Sequence, residues 1–229
     1  TQEKKDIFIN LLMGGHRLLG YRETFDFGAI GRNISRPEGL SNISPVTLEY
    51  MEQNDPGRAA DYSAWKEHLS GGPFPVPGNK YFWKSDMMVQ HGAGYYLSAK
   101  VISTRTNGTE MLNNENLKGY NLPLGATNIL TSGKEYEGIF PVWNWNKIPG
   151  TTAVQHPDSA RLEGYLFGRN RFGGGVSNGR NGVIAYEHCY RGVKAKKAYF
   201  FMDDVLLCLG TDIASDAPEE VVTTVNQCL

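Results

Sequence analysis

Two stretches of this chain concentrate side chains that could do chemistry. In Gly31-Arg32-Asn33-Ile34-Ser35-Arg36, followed by Pro37, two guanidiniums stand four residues apart. A local helix would project both from one face, where they could grip a carboxylate or sulfate with a fork geometry that lysine does not copy. The plainer alternative is a solvated pair neutralised by Glu38, Glu23 or Asp26. The second stretch runs from Arg105 to Asn116 and then through Lys118-Gly119-Tyr120, and holds Glu110, Asn113, Asn114 and Glu115. Amides and carboxylates supply the donors and acceptors that sugar hydroxyls and N-acetyl groups need. A polar loop capped by Asx turns is the competing reading.

Other signals are weaker. The sequence has no GxSxG, P-loop or HExxH pattern and no dinucleotide-binding glycine pattern after a strand. His16, His68, His91, His156 and His188 have no metal-ligand spacing and are expected at the surface or in the core. The glycines from Phe172 to Gly175 and the Gly179/Gly182 pair suit turns, since no helix follows to offer a positive N-terminus to a phosphate. Tyr81, Phe82, Trp83, Trp143 and Trp145 could stack on sugar rings, but core packing is the preferred expectation. Cys189, Cys208 and Cys228 lie far apart; at most one disulfide is available, and three buried small hydrophobes are expected.

These residues need elements to position them. Ser44-Pro45 reads as an N-cap with Pro at the first helical position, opening a helix to about Met51. Asp55-Pro56 repeats the device before a helix that puts Tyr62, Trp65 and Leu69 on one face and ends at Gly71-Gly72. Pro73, Pro75 and Pro77 then form a stiff connector, which divides a helical segment (1–78) from a β region (79–229). Strands are expected over Lys80–Gln90, Gly94–Thr104, Asn128–Leu130, Tyr136–Trp143, Gly182–Tyr190, Lys197–Met202, Val205–Leu209 and Val221–Val225. Asp203-Asp204 stands where a tight hairpin turn belongs. The expected fold class is mainly β: an antiparallel β-sandwich with a short N-terminal helical segment.

Composition narrows the partners. With 229 residues, 40% hydrophobic, and 23 basic against 24 acidic side chains, the chain can build a core and carries almost no net charge. That balance gives no general attraction to nucleic acid or an anionic membrane, and no apolar run is long enough to span a bilayer. A start without Met and an end beside a strand suggest a segment of a longer polypeptide.

Gly94-Tyr95-Tyr96-Leu97-Ser98-Ala99-Lys100, Glu110-x-x-Asn113-x-Glu115-Asn116-x-Lys118-Gly119-Tyr120 and Phe140-Pro141-Val142-Trp143-x-Trp145-x-Lys147-Ile148-Pro149-Gly150 resemble the central β-domain of one polysaccharide lyase family. Its members include chondroitin AC, hyaluronate and xanthan lyases, and the chondroitin AC pattern is nearest. Gly174–Gly179, Lys196–Asp204 and Leu209-Gly210 continue the match in the same order.

The resemblance implies an incomplete α/α toroid followed by large antiparallel sheets, with substrate in the cleft between them. It implies β-elimination at a uronic acid: a base takes the C5 proton, an acid protonates the oxygen leaving C4, and neutralising the adjacent carboxylate lowers the barrier. By position, Arg32 matches the family's catalytic-site arginine and Arg36 its substrate-binding arginine. Glu110 matches the glutamate that orients catalytic groups, and Asn113 a sugar contact; Arg105 and Asn116 join the expected substrate-binding set. The family's catalytic Asn, His and Tyr belong to toroid sequence upstream of the arginine motif, and His16 and Tyr21 lie too close to Arg32 to match them. The isolated chain is therefore expected to be inactive, with an acidic polysaccharide and the remainder of the same polypeptide, or a complementary toroid segment, as partners. A secreted or periplasmic location follows from the family alone. No cofactor is implied; calcium, bound by acidic residues in some relatives, is doubtful because Asn144 and Asn146 stand there. A different class of reading is a non-catalytic glycan-binding β-sandwich that kept the scaffold.

Overall fold

The computed structural model describes residues 1–156 and 162–228, so Leu229, the last residue of the expected β region, lies outside it. Three α-helices come early: α1 (Gln2–Gly14), α2 (Pro45–Asn54) and α3 (Ala59–Leu69). Strands β1 (Gly20–Tyr21) and β2 (Thr24–Phe25) form a small ribbon between the first two helices. Then follow β3 (Gly78–Phe82), β4 (Met87–His91), β5 (Tyr96–Lys100), β6 (Asn107–Met111) and β7 (Ala126–Leu130). The chain continues through β8 (Thr152–Val154), β9 (Gly164–Phe167), β10 (Gly173–Ser177), β11 (Gly182–Tyr190), β12 (Val193–Met202), β13 (Val205–Ser215) and β14 (Val221–Thr223). Every strand pair is antiparallel.

Two four-stranded sheets dominate, ordered β3-β4-β5-β7 and β10-β11-β12-β13. They pack face to face: Met88, Leu97 and Ala99 of the first meet Ile184, Tyr186, Tyr199 and Phe201 of the second. Strand β12 shows why it is a strand, since Val193, Ala195, Lys197, Tyr199 and Phe201 alternate inward while the residues between them face outward. Strands β4 and β5 are buried on both faces. Their other side chains, Met87, Val89 and Tyr96, pack on Tyr21, Phe27, Ile34, Tyr136 and Trp143. The first sheet is thus the middle of three layers, and residues 20–43 belong to the third.

Helices α2 and α3 form a separate small core from Leu48, Tyr62, Trp65 and Leu69, as the spacing of the last three predicts. Ser44 caps α2, its hydroxyl accepting from the Val46 N–H at 3.3 Å. The expected second cap takes a different form, because Pro56–Arg58 is a short 3-10 turn and Asp55 spends its carboxylate on Arg58 and the Tyr62 hydroxyl. Histidines stitch the helices to the sheets. His68 accepts from the Arg22 N–H at 2.9 Å, and His91 stacks on Phe74 with ring centroids 3.6 Å apart.

Several expected elements differ. The run Lys80–Gln90 is broken into the β3–β4 hairpin, with Asp86 in a left-handed conformation in its turn (φ 48°). Tyr136–Trp143 is a series of turns: Tyr136, Ile139 and Trp143 are buried at spacings of three and four rather than two. The glycine run read as turns is strand β10, paired to β11. Glycine is required there because a Cβ on Gly175 would lie 2.7 Å from the Val183 carbonyl, and one on Gly173 2.8 Å from Cβ of Ser103. The Asp203-Asp204 hairpin is present; Asp203 takes the positive φ (48°) that glycine usually supplies. None of the cysteines is fully buried. Cys189 is half-buried, Cys208 and Cys228 are exposed, and all three are free. Cys208 sits on β13, an edge strand that leaves Val205, Leu207, Leu209 and Ile213 about half exposed.

Candidate functional site

Arg32 lies in a 3-10 turn (Gly31–Ser35) and Arg36 caps it, so the expected local helix is tighter than an α-helix. Ile34 is the buried anchor, which leaves the arginines on the solvent side. Ser35 ties the turn to the second stretch: its hydroxyl donates to the Arg32 carbonyl at 2.8 Å and accepts from the Asn116 N–H at 2.7 Å.

The second stretch is half strand, half loop. Asn107–Met111, expected as loop, forms β6 and carries Glu110. After it, Asn113, Asn114 and Asn116 all adopt left-handed backbone (φ 56°, 60° and 57°), a conformation asparagine tolerates better than most residues. The tight loop folds Glu115 back toward the arginines. Asn116 is a staple rather than a free sugar contact: it is buried, and its Nδ2 donates to Thr109 Oγ1 at 3.0 Å and to the Glu110 carbonyl at 2.9 Å. Asn113 is exposed, and its side chain makes no hydrogen bond among the described residues.

Together these elements build an alternating cluster of two arginines and two glutamates. Arg32 Nε lies 3.3 Å from Glu110 Oε1 and 3.4 Å from Glu115 Oε2. Arg36 grips Glu115 with both arms of its fork, Nε to Oε1 at 2.7 Å and Nη2 to Oε2 at 3.1 Å. The Arg36 hydrogen bonds hold the Glu115 carboxyl below the usual carboxylate range, and Glu115 in turn raises Arg36. Neither Nη of Arg32 donates a hydrogen bond within the described residues, and its side chain is 29% exposed. The guanidinium is thus held from its Nε side and open on its outer edge.

The acids that pair with the arginines are Glu110 and Glu115, not Glu38, Glu23 or Asp26. Asp26 is buried in the core, accepting from the Tyr96 hydroxyl at 2.7 Å, from Ser98, and from the Gly28 N–H at 2.6 Å; burial raises its pKa. Arg105 stands apart from the cluster. It lies before the opposite end of β6 and donates to Asp86 at 2.5 Å and to the Gly173 carbonyl at 2.8 Å. Asp86 is fully buried and also accepts from Tyr81, Ser103 and Thr106, so Arg105 completes a polar knot between the sheets.

Two features escaped sequence reasoning. Tyr165 of β9 pairs with Glu110 across the β6–β9 ribbon and therefore shares its face; Tyr165 and Phe167 are exposed, their ring centroids 5.9 Å apart. A four-residue strand pairing across 55 positions leaves no local signature. The second feature is a cleft of 1280 Å³ beginning at Ser35, Arg36, Asn114 and Asn116 and running past Trp145. Of the aromatics noted in the sequence, Trp143 is buried as expected, Trp145 lines this cleft, and Trp83 is exposed. His16 packs on Phe25 and Trp65, and Tyr21 is a core residue. At the asparagines that replace acidic residues, Asn144 Oδ1 accepts from the Asn146 N–H at 3.0 Å and Asn146 Nδ2 donates to the His156 carbonyl at 2.9 Å. Among the described residues no three His, Cys, Asp or Glu side chains are grouped to hold a metal, and no helix is long and apolar enough to cross a membrane.

Known proteins resemble this chain in sequence and fold. Chondroitinase-AC of Pedobacter heparinus is 37% identical over 210 residues, covering 88% of this chain and 30% of the relative. Hyaluronate lyase of Thermasporomyces composti is 28% identical over 165 residues, 68% of this chain and 21% of that protein. A solved structure of chondroitinase AC lyase with bound oligosaccharide superposes over the whole chain with a TM-score of 0.93 at 33% identity, while this chain covers 35% of it. The Paenibacillus xanthan lyase structure shares the fold, with a TM-score of 0.82 at 21% identity over the whole chain and 25% of its own length. The chain spans about a third or less of these proteins. The family description "Polysaccharide lyase family 8, super-sandwich domain" matches residues 77–229, the segment that holds both large sheets and Glu110, and by that match the chain belongs to polysaccharide lyase family 8.

Proposed function

We propose that this chain supplies the β-side wall of a cleft that cleaves uronic-acid polysaccharides, of the chondroitin or hyaluronan kind, by β-elimination. The observation that carries the reading is Arg32, oriented by Glu110 and Glu115 with its outer edge open. A uronate carboxylate docked on that edge loses the negative charge that opposes removal of the C5 proton. The enolate charge that develops then lies against a fixed cation. Glu110 acts as a positioning residue for Arg32, and Arg36, already gripping Glu115, holds the rim. Asn113 offers its free amide to a sugar hydroxyl, and Tyr165 offers a ring face beside Glu110. The proton transfers belong to groups contributed by the remainder of the polypeptide or a complementary helical segment. A polymer too large to cross a membrane places the work outside the cytoplasm, in a secreted or periplasmic setting.

The test is binding of desulfated chondroitin against the same polymer with its carboxyl groups reduced to alcohols. A charge-assisted fork to the carboxylate predicts roughly 10- to 100-fold weaker binding after reduction. Equal affinity for the two polymers would overturn the reading.

A further inference from the structure

The cleft beside Arg36 is larger than one carboxylate needs, and its charge differs from that of the whole chain. Arg22, Arg36, Lys118 and Lys134 line it against only Glu23 and Glu137, whereas the chain as a whole has a net charge of −1. Arg36 is committed to Glu115, but Arg22, Lys118 and Lys134 form no ion pair among the described residues. Arg22 donates from Nη1 to the Ser132 carbonyl at 3.3 Å, while its Nε is buried without a partner among the described residues. Trp145 and Phe140 supply apolar surface in the same cleft, and Trp145 is braced by Trp143 at 5.3 Å between ring centroids.

The loop that carries Lys134 is built firmly. Glu135 accepts from the N–H groups of Thr131, Ser132 and Gly133 at 2.8, 2.7 and 2.9 Å. Burial alone would raise its pKa, but these hydrogen bonds outweigh it and bring the carboxyl down to about 2. The loop backbone is therefore ordered before any ligand arrives, so an anion at Lys134 has only the side chain left to order.

We propose that this cleft is a second anion subsite, which takes the sulfate ester groups of saccharide units neighbouring the uronate held at Arg32. The assignment rests on the lyase reading above and extends it along the polymer. A sulfate ester presents three acceptor oxygens to the arginine and lysine donors that line the cleft. The carboxylate is taken by Arg32, so the unpaired cations are left for a different anion. The aromatic wall suits the C–H face of a sugar ring. At 1280 Å³ the cleft exceeds the roughly 300–1,000 Å³ of pockets for drug-sized ligands, as an oligosaccharide requires.

The test compares chondroitin sulfate with desulfated chondroitin on the full chain, on Lys118→Gln/Lys134→Gln, and on Arg22→Gln as a separate variant. Both lysines are exposed, so their replacement leaves the core untouched. The expected result is at least about tenfold tighter binding of the sulfated polymer to the parent chain, narrowing to about two- or threefold in the double variant, with desulfated binding unchanged. Equal binding of the two polymers by the parent chain, or an unchanged ratio in both variants, overturns the proposal. So does equally tight binding of a single-stranded oligonucleotide of matched charge, which would make the cleft an unselective polyanion surface. Carboxyl reduction separates the two claims: if it has no effect while the sulfate preference tracks the lysines, the lyase reading falls and this subsite stands.

Discussion

Replacing Arg32 by alanine is expected to lower β-elimination by the assembled cleft about 10²- to 10³-fold, the scale on which removal of one preorganised oxyanion donor is felt. The assembled cleft here means this chain joined to an upstream helical segment of a family relative. The loss should fall mainly on kcat, because the interaction with Arg32 strengthens as charge moves onto the carboxylate oxygens. Arg36→Ala should instead raise KM more than it lowers kcat, since Arg36 is tied to Glu115 at the rim. Glu110→Gln keeps the shape but removes one of the two charges that hold Arg32 Nε, and should give an intermediate loss. A positioning role predicts that this loss is nearly absent in the Arg32→Ala background. If Arg32→Ala keeps turnover within threefold of the parent, the carboxylate-neutralising role is wrong.

Two buried histidines that stay neutral when folded are expected to contribute an acid penalty of about 4 kcal/mol between pH 7.5 and pH 5. Burial lowers His91 to about 3 and His188 to about 4, against an ordinary value of 6.5. In both cases the unfolded chain binds a proton that the folded chain refuses. Stability is therefore present above about pH 6.5 and falls as pH drops through the window between the unfolded and folded values. At pH 5 each site has lost about 2 kcal/mol.

The surroundings explain the refusal. His91 is stacked on Phe74 and faces the Leu18 carbonyl, with Arg17 and His68 nearby to oppose a positive charge. His188 lies beside the Tyr186 hydroxyl at 3.1 Å, and Lys197 disfavours its protonation. Asp26 acts in the opposite direction, because its raised pKa favours the folded state as pH falls. Urea midpoints at the two pH values, in the parent and in the Asp26→Asn, His91→Phe and His188→Phe variants, check the sum. Each histidine variant should remove about 2 kcal/mol of the stability lost between pH 7.5 and pH 5. A slope unchanged by both would contradict the assignment.

Much of this was legible in the sequence, for physical reasons that vary from place to place. The α3 face of Tyr62, Trp65 and Leu69 was visible because one helix buries a single stripe. Strand β12 was visible because its core lies on one side. The β3–β4 hairpin and the Tyr136–Trp143 turns were misjudged where the middle sheet is covered on both faces, so that alternation disappears and apolar content alone does not reveal register. Strand β10 was hidden because its glycines answer to close backbone approach, a tertiary cause.

The site divides in the same way. Spacing brought out the arginine pair, and the asparagine cluster marked a tight loop, but that this loop turns Glu115 back onto the arginines is a tertiary outcome. Arg105 matches the expected chemistry by type but is claimed by the buried Asp86, 19 residues earlier in the chain. Tyr165 reached Glu110 only through strand pairing.

In the reading proposed above, this chain forms one wall of a lyase cleft and the proton-transfer groups come from another segment. The deciding experiment follows the ultraviolet absorbance of the unsaturated uronate formed from chondroitin, for the chain alone, for an upstream toroid segment of a relative alone, and for the two together. No rise from either part, with a rise on mixing that Arg32→Ala abolishes, is the predicted result. A rise from the chain alone would show that one of its own tyrosines or histidines, Tyr165 foremost, moves the protons. Binding without any rise in the mixture would contradict the claim and leave a glycan-binding module.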